Sequence, residues 1–187
     1  MHNPLQEHQQ ETAHLVDVRA TEMIEIQGPT IQFLTPLAAI GSTADDDGPC
    51  VMRGTIPPGV SVPLHSHHDP ETFLTLSGEL EGLAESRRGF EWIRIEPGDV
   101  FHVPGGARHA FRNIGQEAAV MNIVSTARIA RFFREVGRPV PASGEPPLGP
   151  PSAETIRHFL ATAEKYGYWN ASPEENARIG IALPDAS

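Results

Sequence analysis

Apolar residues recur in short alternating runs between Thr21 and Val124, and glycine and proline punctuate them. The runs are Met23–Ile26, Thr30–Leu37, Cys50–Ile56, Val62–His67, Thr72–Leu76, Leu80–Glu85, Phe90–Ile95, Val100–Val103, His109–Arg112 and Ala119–Val124. A period of two over such lengths predicts half-buried strands. The breaks carry turn chemistry: Gln27-Gly28-Pro29, Pro57-Pro58-Gly59, Ser77-Gly78, Glu96-Pro97-Gly98 and Pro104-Gly105-Gly106. Many short strands separated in this way predict an all-β sandwich or barrel.

After Val124 the period becomes helical. Ser125 or Thr126 can cap a helix that puts Ile129, Phe132, Phe133 and Val136 on one face and stops at Gly137. Ser152 can cap a second helix, with Ile156, Phe159, Leu160 and Ala163 on one side and an end near Gly167. Ser172-Pro173-Glu174-Glu175 has the make-up of a capping box with proline at the first helical position. Helices apolar on one face must dock, and the barrel exterior or mouth is the economical surface, a dimer partner the second. The chain thus divides into a polar, flexible N-terminal arm (1–20), a barrel (21–126) and C-terminal helices (127–187) that include a proline-rich linker (137–152).

At 187 residues the chain suffices for one well-packed domain with appendages. A formal charge of −10 argues against nucleic acid or an anionic membrane as partner. The single cysteine, Cys50, excludes an intrachain disulfide, fits a reducing compartment, and reads as a small buried hydrophobe. No apolar run approaches membrane-spanning length, and the first residues lack the basic flank and apolar core of a signal peptide, so the cytoplasm is the expected location. Asp45-Asp46-Asp47-Gly48 lacks the alternating ligands and distal glutamate of a calcium loop and reads as a solvated turn.

The chemistry concentrates in two blocks. His65 and His67, two apart, project to the same side of a strand. Glu71 follows an Asp69-Pro70 bend and can enter the same space from the next strand, and His109 follows a Pro-Gly-Gly turn that brings in a third. Four ligand-type side chains would leave one or two positions open on a five- or six-coordinate ion, as a catalytic site requires. Alternation from Glu71 turns Phe73 and Thr75 inward, and alternation from His109 turns Phe111 inward, so Phe73 and Phe111 are candidate walls of a substrate pocket. Met52 is a further candidate for that pocket. His68 should point away from the histidine pair, while His102 is open between a supporting contact to the metal, a proton relay and plain exposure. Arg108 and Arg112 have the outward parity, and Trp92 suits outer packing.

Gly59-x5-His65-x-His67-x3-Glu71-x6-Gly78 and Gly98-x5-Pro104-x-Gly106-x2-His109-x3-Asn113 resemble the two sequence motifs of the cupin superfamily. The resemblance implies a double-stranded β-helix, or jelly roll, with His65, His67, Glu71 and His109 as the metal ligands. It also implies turn and strand-end roles for Gly59, Gly78, Gly98, Pro104, Gly106 and Asn113. The tail, Ala130-Arg131-Phe132-Phe133-Arg134-Glu135-Val136-Gly137 with its linker and later helix, is similar to that of single-domain, cupin 2 type proteins related to quercetinase-type dioxygenases, and to many bacterial cupins of undefined activity. Three residues separate His67 from Glu71, where some dioxygenases of this type have four.

What the resemblance implies is a metal-dependent dioxygenase acting on an aromatic or enolisable, flavonol-like molecule, with Glu71 as catalytic base. The cofactor would be one divalent transition metal: iron, nickel, cobalt, manganese or zinc, among which a three-histidine, one-glutamate set discriminates little. The alternatives are a non-redox isomerase, decarboxylase or lyase for a small polar substrate, and a non-catalytic small-molecule-binding cupin. Because an open double sheet has edges to cover, a homodimer is expected.

Overall fold

The computed structural model describes residues 12–35, 48–141 and 151–183. The start of the N-terminal arm, the Asp45-Asp46-Asp47 turn and the centre of the proline-rich linker lie outside the described residues. The elements are β1 (Met23–Glu25), β2 (Thr30–Phe33), β3 (Pro49–Ile56), β4 (Ser61–Ser66), β5 (Glu71–Ser77), β6 (Leu80–Ser86), β7 (Gly89–Ile95), β8 (Val100–Val103), β9 (His109–Arg112) and β10 (Ala119–Thr126). They continue with α1 (Ala127–Val136), β11 (Arg138–Pro139), α2 (Ala153–Lys165), β12 (Trp169–Asn170) and α3 (Pro173–Arg178). One sheet runs β11-β1-β2-β3-β10-β5-β8 and the other β12-β4-β9-β6-β7, with antiparallel neighbours throughout the jelly roll.

Alternation decides what lies between the sheets. Along β3 the buried positions are Cys50, Met52, Gly54 and Ile56, and along β5 they are Glu71, Phe73 and Thr75. Of these, Cys50, Met52, Ile56 and Phe73 meet Phe33, Phe111, Met121 and Ile123 in one apolar cluster. The smaller sheet departs from simple alternation because both of its faces are covered. Leu64, Leu83 and Ala110 point outward yet are buried under Ile181 and its neighbours Trp169 and Ile179. Trp92 belongs to this outer layer and donates its indole N–H to the Ile179 carbonyl at 3.0 Å. Arg112 lies 4.1 Å over the Trp92 ring and pairs with Glu81, while Arg108 lies over Trp169.

The C-terminal extension is tied down element by element. Thr126 caps α1, whose Ile129, Ala130, Phe132 and Val136 are buried. The helix ends at Gly137, but with φ −79 this glycine is not a left-handed cap. It is there for space, since a Cβ would sit 2.8 Å from Ile24 Cβ and from the Phe133 carbonyl oxygen. The chain then adds β11 to β1, and Arg138 Nε reaches the buried Glu25 carboxylate at 2.7 Å. In α2 the buried positions are Thr162 and Ala163, whereas Leu160, expected on the apolar face, is 49% exposed. Its side chain falls beyond the narrow strip on which α2 meets Phe132 and Val136. Both halves of the capping box at α3 are formed. Asn176, fully buried, accepts the Leu64 N–H at 2.9 Å and thereby fastens α3 to β4.

Among the described residues no helix is long and apolar enough to cross a membrane. Cys50 is fully buried, and that burial pushes its thiol pKa up, only partly offset by a hydrogen bond with Thr35. A thiol-specific disulfide reagent should therefore leave Cys50 unmodified in the native protein and titrate one thiol per chain after denaturation. Rapid labelling of the folded protein would contradict this placement.

Candidate metal centre

Three strands deliver the ligand-type residues to one point. His65 sits near the end of β4, His67 just beyond it, Glu71 opens β5 and His109 opens β9. His65 and His109 are register partners, and their ring centroids are 4.2 Å apart. One ligand atom from each of His65, His67 and His109 can be chosen so that all lie within 4.8 Å of one another. Glu71 Oε2 is 3.2 Å from His67 Nε2 and 3.3 Å from His109 Nε2. His67, Glu71 and His109 are buried.

The ring orientations have a backbone cause. His65 Nδ1 lies 2.8 Å from the Pro63 carbonyl and His109 Nδ1 lies 3.0 Å from the Ala107 carbonyl, each two residues upstream. A carbonyl can only accept, so each Nδ1 carries a proton and the neutral ring presents the Nε2 lone pair to the centre. The loops behind the rings are bound to each other. The Gly106 N–H donates to the His67 carbonyl at 2.6 Å, and Gly105 packs so closely on the His68 carbonyl that a side chain there would overlap it. The Asp69-Pro70 bend is fastened to the start of α1: Arg128 Nη1 and the Thr126 hydroxyl donate to the Asp69 carboxylate, and the Ser125 hydroxyl donates to the Pro70 carbonyl.

Burial by itself would raise the pKa of Glu71, but the adjacent His109 and His67 rings outweigh it and hold the carboxyl well below the usual carboxylate range. For His65, burial and then its two histidine neighbours push the pKa well down. For His67, burial pulls the pKa down, yet Glu71 and Asp69 together raise it. The cluster therefore offers an ionised carboxylate and a His65 imidazole that stays neutral.

This donor set fits a divalent transition metal. Two donors about 2.1 Å from a common ion and at right angles lie roughly 3.0 Å apart, close to the Glu71–histidine spacings. His109 Nε2 is also buried without a hydrogen bond, which a metal would relieve. Imidazole and carboxylate together suit iron, nickel, cobalt, manganese and zinc alike.

The cluster opens on a cavity of about 150 Å³. Phe73 and Phe111 both line it, with ring centroids 4.6 Å apart. Met52 does not. It is completely buried in the core, opposite Phe33 and Ile123, and Met121 is the methionine on the cavity wall. The cavity begins one inward position further along β3, at Gly54, where the absent side chain lets Ile123 and Met121 pack against the backbone. His102 is exposed on the outer side of β8, its Nδ1 2.9 Å from the Thr72 hydroxyl, and His68 is exposed in its loop.

Phe132, Phe133, Phe159, Tyr168 and Asn170 line the cavity too, and none of them follows from the two histidine blocks. The C-terminal extension thus builds part of the pocket. Strand β12 pairs with β4 so that Asn170 faces His65, and its alternation turns Trp169 outward between Tyr168 and Asn170. The Tyr168 ring lies 4.8 Å from the His67 ring and 4.3 Å from that of Phe132. Burial, followed by the Asp69 and Glu71 charges, raises its pKa far above the usual tyrosine value. The aromatic residues clustered at Tyr166, Tyr168 and Trp169 are the one sequence feature of this segment, and they show no strand period.

Comparison with known proteins agrees with this architecture. The chain is 39% identical over 77 residues to Endoribonuclease YbeY of Myxococcus xanthus, a stretch that makes up 41% of this chain and 25% of that protein. The chain therefore matches about a quarter of the length of that curated relative. Its fold is similar to the polyketide cyclase RemF from Streptomyces resistomycificus, with TM-score 0.52 and 15% identity over 62% of this chain and 80% of that one. It is likewise similar to an RmlC-like cupin from Shewanella frigidimarina, with TM-score 0.50 and 16% identity over 65% and 96% of the two chains. Residues 52–125 match the Cupin domain family, so this stretch, which holds both histidine-bearing motifs within the two-sheet jelly roll, is a cupin domain.

Proposed function

We propose that the protein is a divalent-metal-dependent dioxygenase acting on a small aromatic or enolisable molecule. The observation that carries this reading is the opening of the three-histidine, one-glutamate cluster onto a cavity whose other walls are largely apolar and aromatic. Among the described residues no lysine or arginine lines it, which disfavours a strongly anionic substrate. A cavity of about 150 Å³ in another protein takes up benzene, so one ring is the natural occupant, and a flavonol would have to extend beyond it. Phe73 and Phe111 would hold that ring. Glu71, the only carboxylate among the described lining residues, would accept the proton of the substrate hydroxyl. A redox-active ion held by the four residues would supply electron exchange with dioxygen.

Oxygen uptake by protein reconstituted separately with iron, nickel, cobalt and manganese tests this, using phenols, 1,3-diketones, hydroxypyranones and flavonols. Uptake with a ring-sized compound is expected, and Glu71→Gln should lower kcat by about 100- to 10,000-fold with the metal still bound. No uptake with any metal and substrate pair would overturn the dioxygenase reading.

We also infer a homodimer. Leu74, Leu76, Val100 and Val124 are exposed on neighbouring strands β5, β8 and β10, an aliphatic surface that a second copy would cover. Light scattering should then give about twice the 20.3 kDa chain mass, and a monomer mass would reject it.

A further inference from the structure

The hydroxyl of Tyr168 is buried and has no hydrogen-bond partner. Leaving such a group unpaired is costly, so its persistence needs a reason. The charged groups around it are committed elsewhere. Asp69 accepts from Thr126 and Arg128, Arg128 also donates to the Tyr166 carbonyl, and Glu71 faces His67 and His109. Nor is the ring free to turn away, since it is packed between His67 and Phe132. The ring is therefore held beside His67, and its unpaired hydroxyl belongs to a residue that lines the cavity.

We propose that Tyr168 is a specificity-determining residue whose hydroxyl donates a hydrogen bond to an oxygen on the bound molecule, so that the site selects ring compounds bearing a phenol, enol or carbonyl oxygen over their apolar isosteres. This rests on the small-ring substrate reading above and gives it a recognition element. A site built to hydrogen-bond a ligand oxygen discriminates against the analogue that lacks it, because the donor is then left unpaired. The C-terminal extension supplies this donor, so specificity and the fold of the tail are linked through β12.

The test is calorimetric binding of phenol and of toluene, which is nearly the same shape but has no oxygen, to cobalt-reconstituted wild-type protein and to Tyr168→Phe. The phenylalanine keeps the ring and its packing, and cobalt content together with circular dichroism verifies that the site and fold are retained. Phenol is expected to bind the wild type more tightly than toluene. Tyr168→Phe should weaken phenol about tenfold and leave toluene unchanged. Equal changes for the two probes, or no change for phenol, would overturn the role of Tyr168 while leaving the cavity reading intact. Binding of neither probe by the wild type would overturn the small-ring reading and the Tyr168 proposal with it.

Discussion

Replacing His65, His67 or His109 singly by alanine is expected to lower divalent-metal affinity by more than about 100-fold, since disturbing only the groups that support a ligand costs about 10–100-fold. The four residues arrive on three separate segments, so none can substitute for another by a local rearrangement. Glu71→Ala should also weaken binding, and it tests a contact that reaches two of the three rings, His67 and His109. Acid should release the metal in the same sense, because a proton competes for each imidazole. His67, whose pKa is raised, should take a proton before His65, whose pKa is lowered. Affinity should therefore be full above the imidazole range and fall as pH drops through about 6. Elemental analysis after dialysis, with chelator competition between pH 5 and 8, reads both effects. Wild-type metal content in the alanine variants would place the ion elsewhere on the protein.

The four clustered residues were legible in the sequence because strand parity fixes the side on which a residue emerges, and the Gly/Pro turns fix where strands begin. Parity says nothing about height along a strand. Met52 and Gly54 share the inward face of β3, but only Gly54 reaches the cavity, and Met121 on the neighbouring strand takes the position expected for Met52. Tyr168 and Asn170 were illegible for a different reason. Strand β12 is two residues long and exists through its pairing with β4, about a hundred positions earlier, so no local period could announce it. Leu160 shows the same limit in a helix: the apolar face was readable, but the width of the strip that its partner helix would cover was not.

Gly105→Ala should damage the metal centre although the residue is not itself part of the histidine cluster. The residue has an ordinary backbone conformation, so conformational freedom is not why glycine stands there. The reason is contact: an added Cβ would overlap the His68 carbonyl oxygen and come 3.2 Å from its carbonyl carbon, and backbone cannot rotate aside as a side chain can. The two loops must then separate, straining the 2.6 Å bond from the Gly106 N–H to the His67 carbonyl and moving His67 relative to His109. Overpacking of this kind costs about 1–3 kcal/mol of stability, and displacement of a ligand loop should weaken metal binding by about 10–100-fold. Gly106→Ala separates the two causes. Its φ is +83, so alanine there is strained, but nothing lies within 4 Å of the added Cβ and the N–H to His67 is kept. It should cost about 1 kcal/mol in chemical denaturation with metal affinity close to wild type. If Gly105→Ala also kept wild-type affinity, the contact between the loops would not be what holds the His67 and His109 rings in place, and their orientation would rest on the Ala107 carbonyl and the Asp69 clamp.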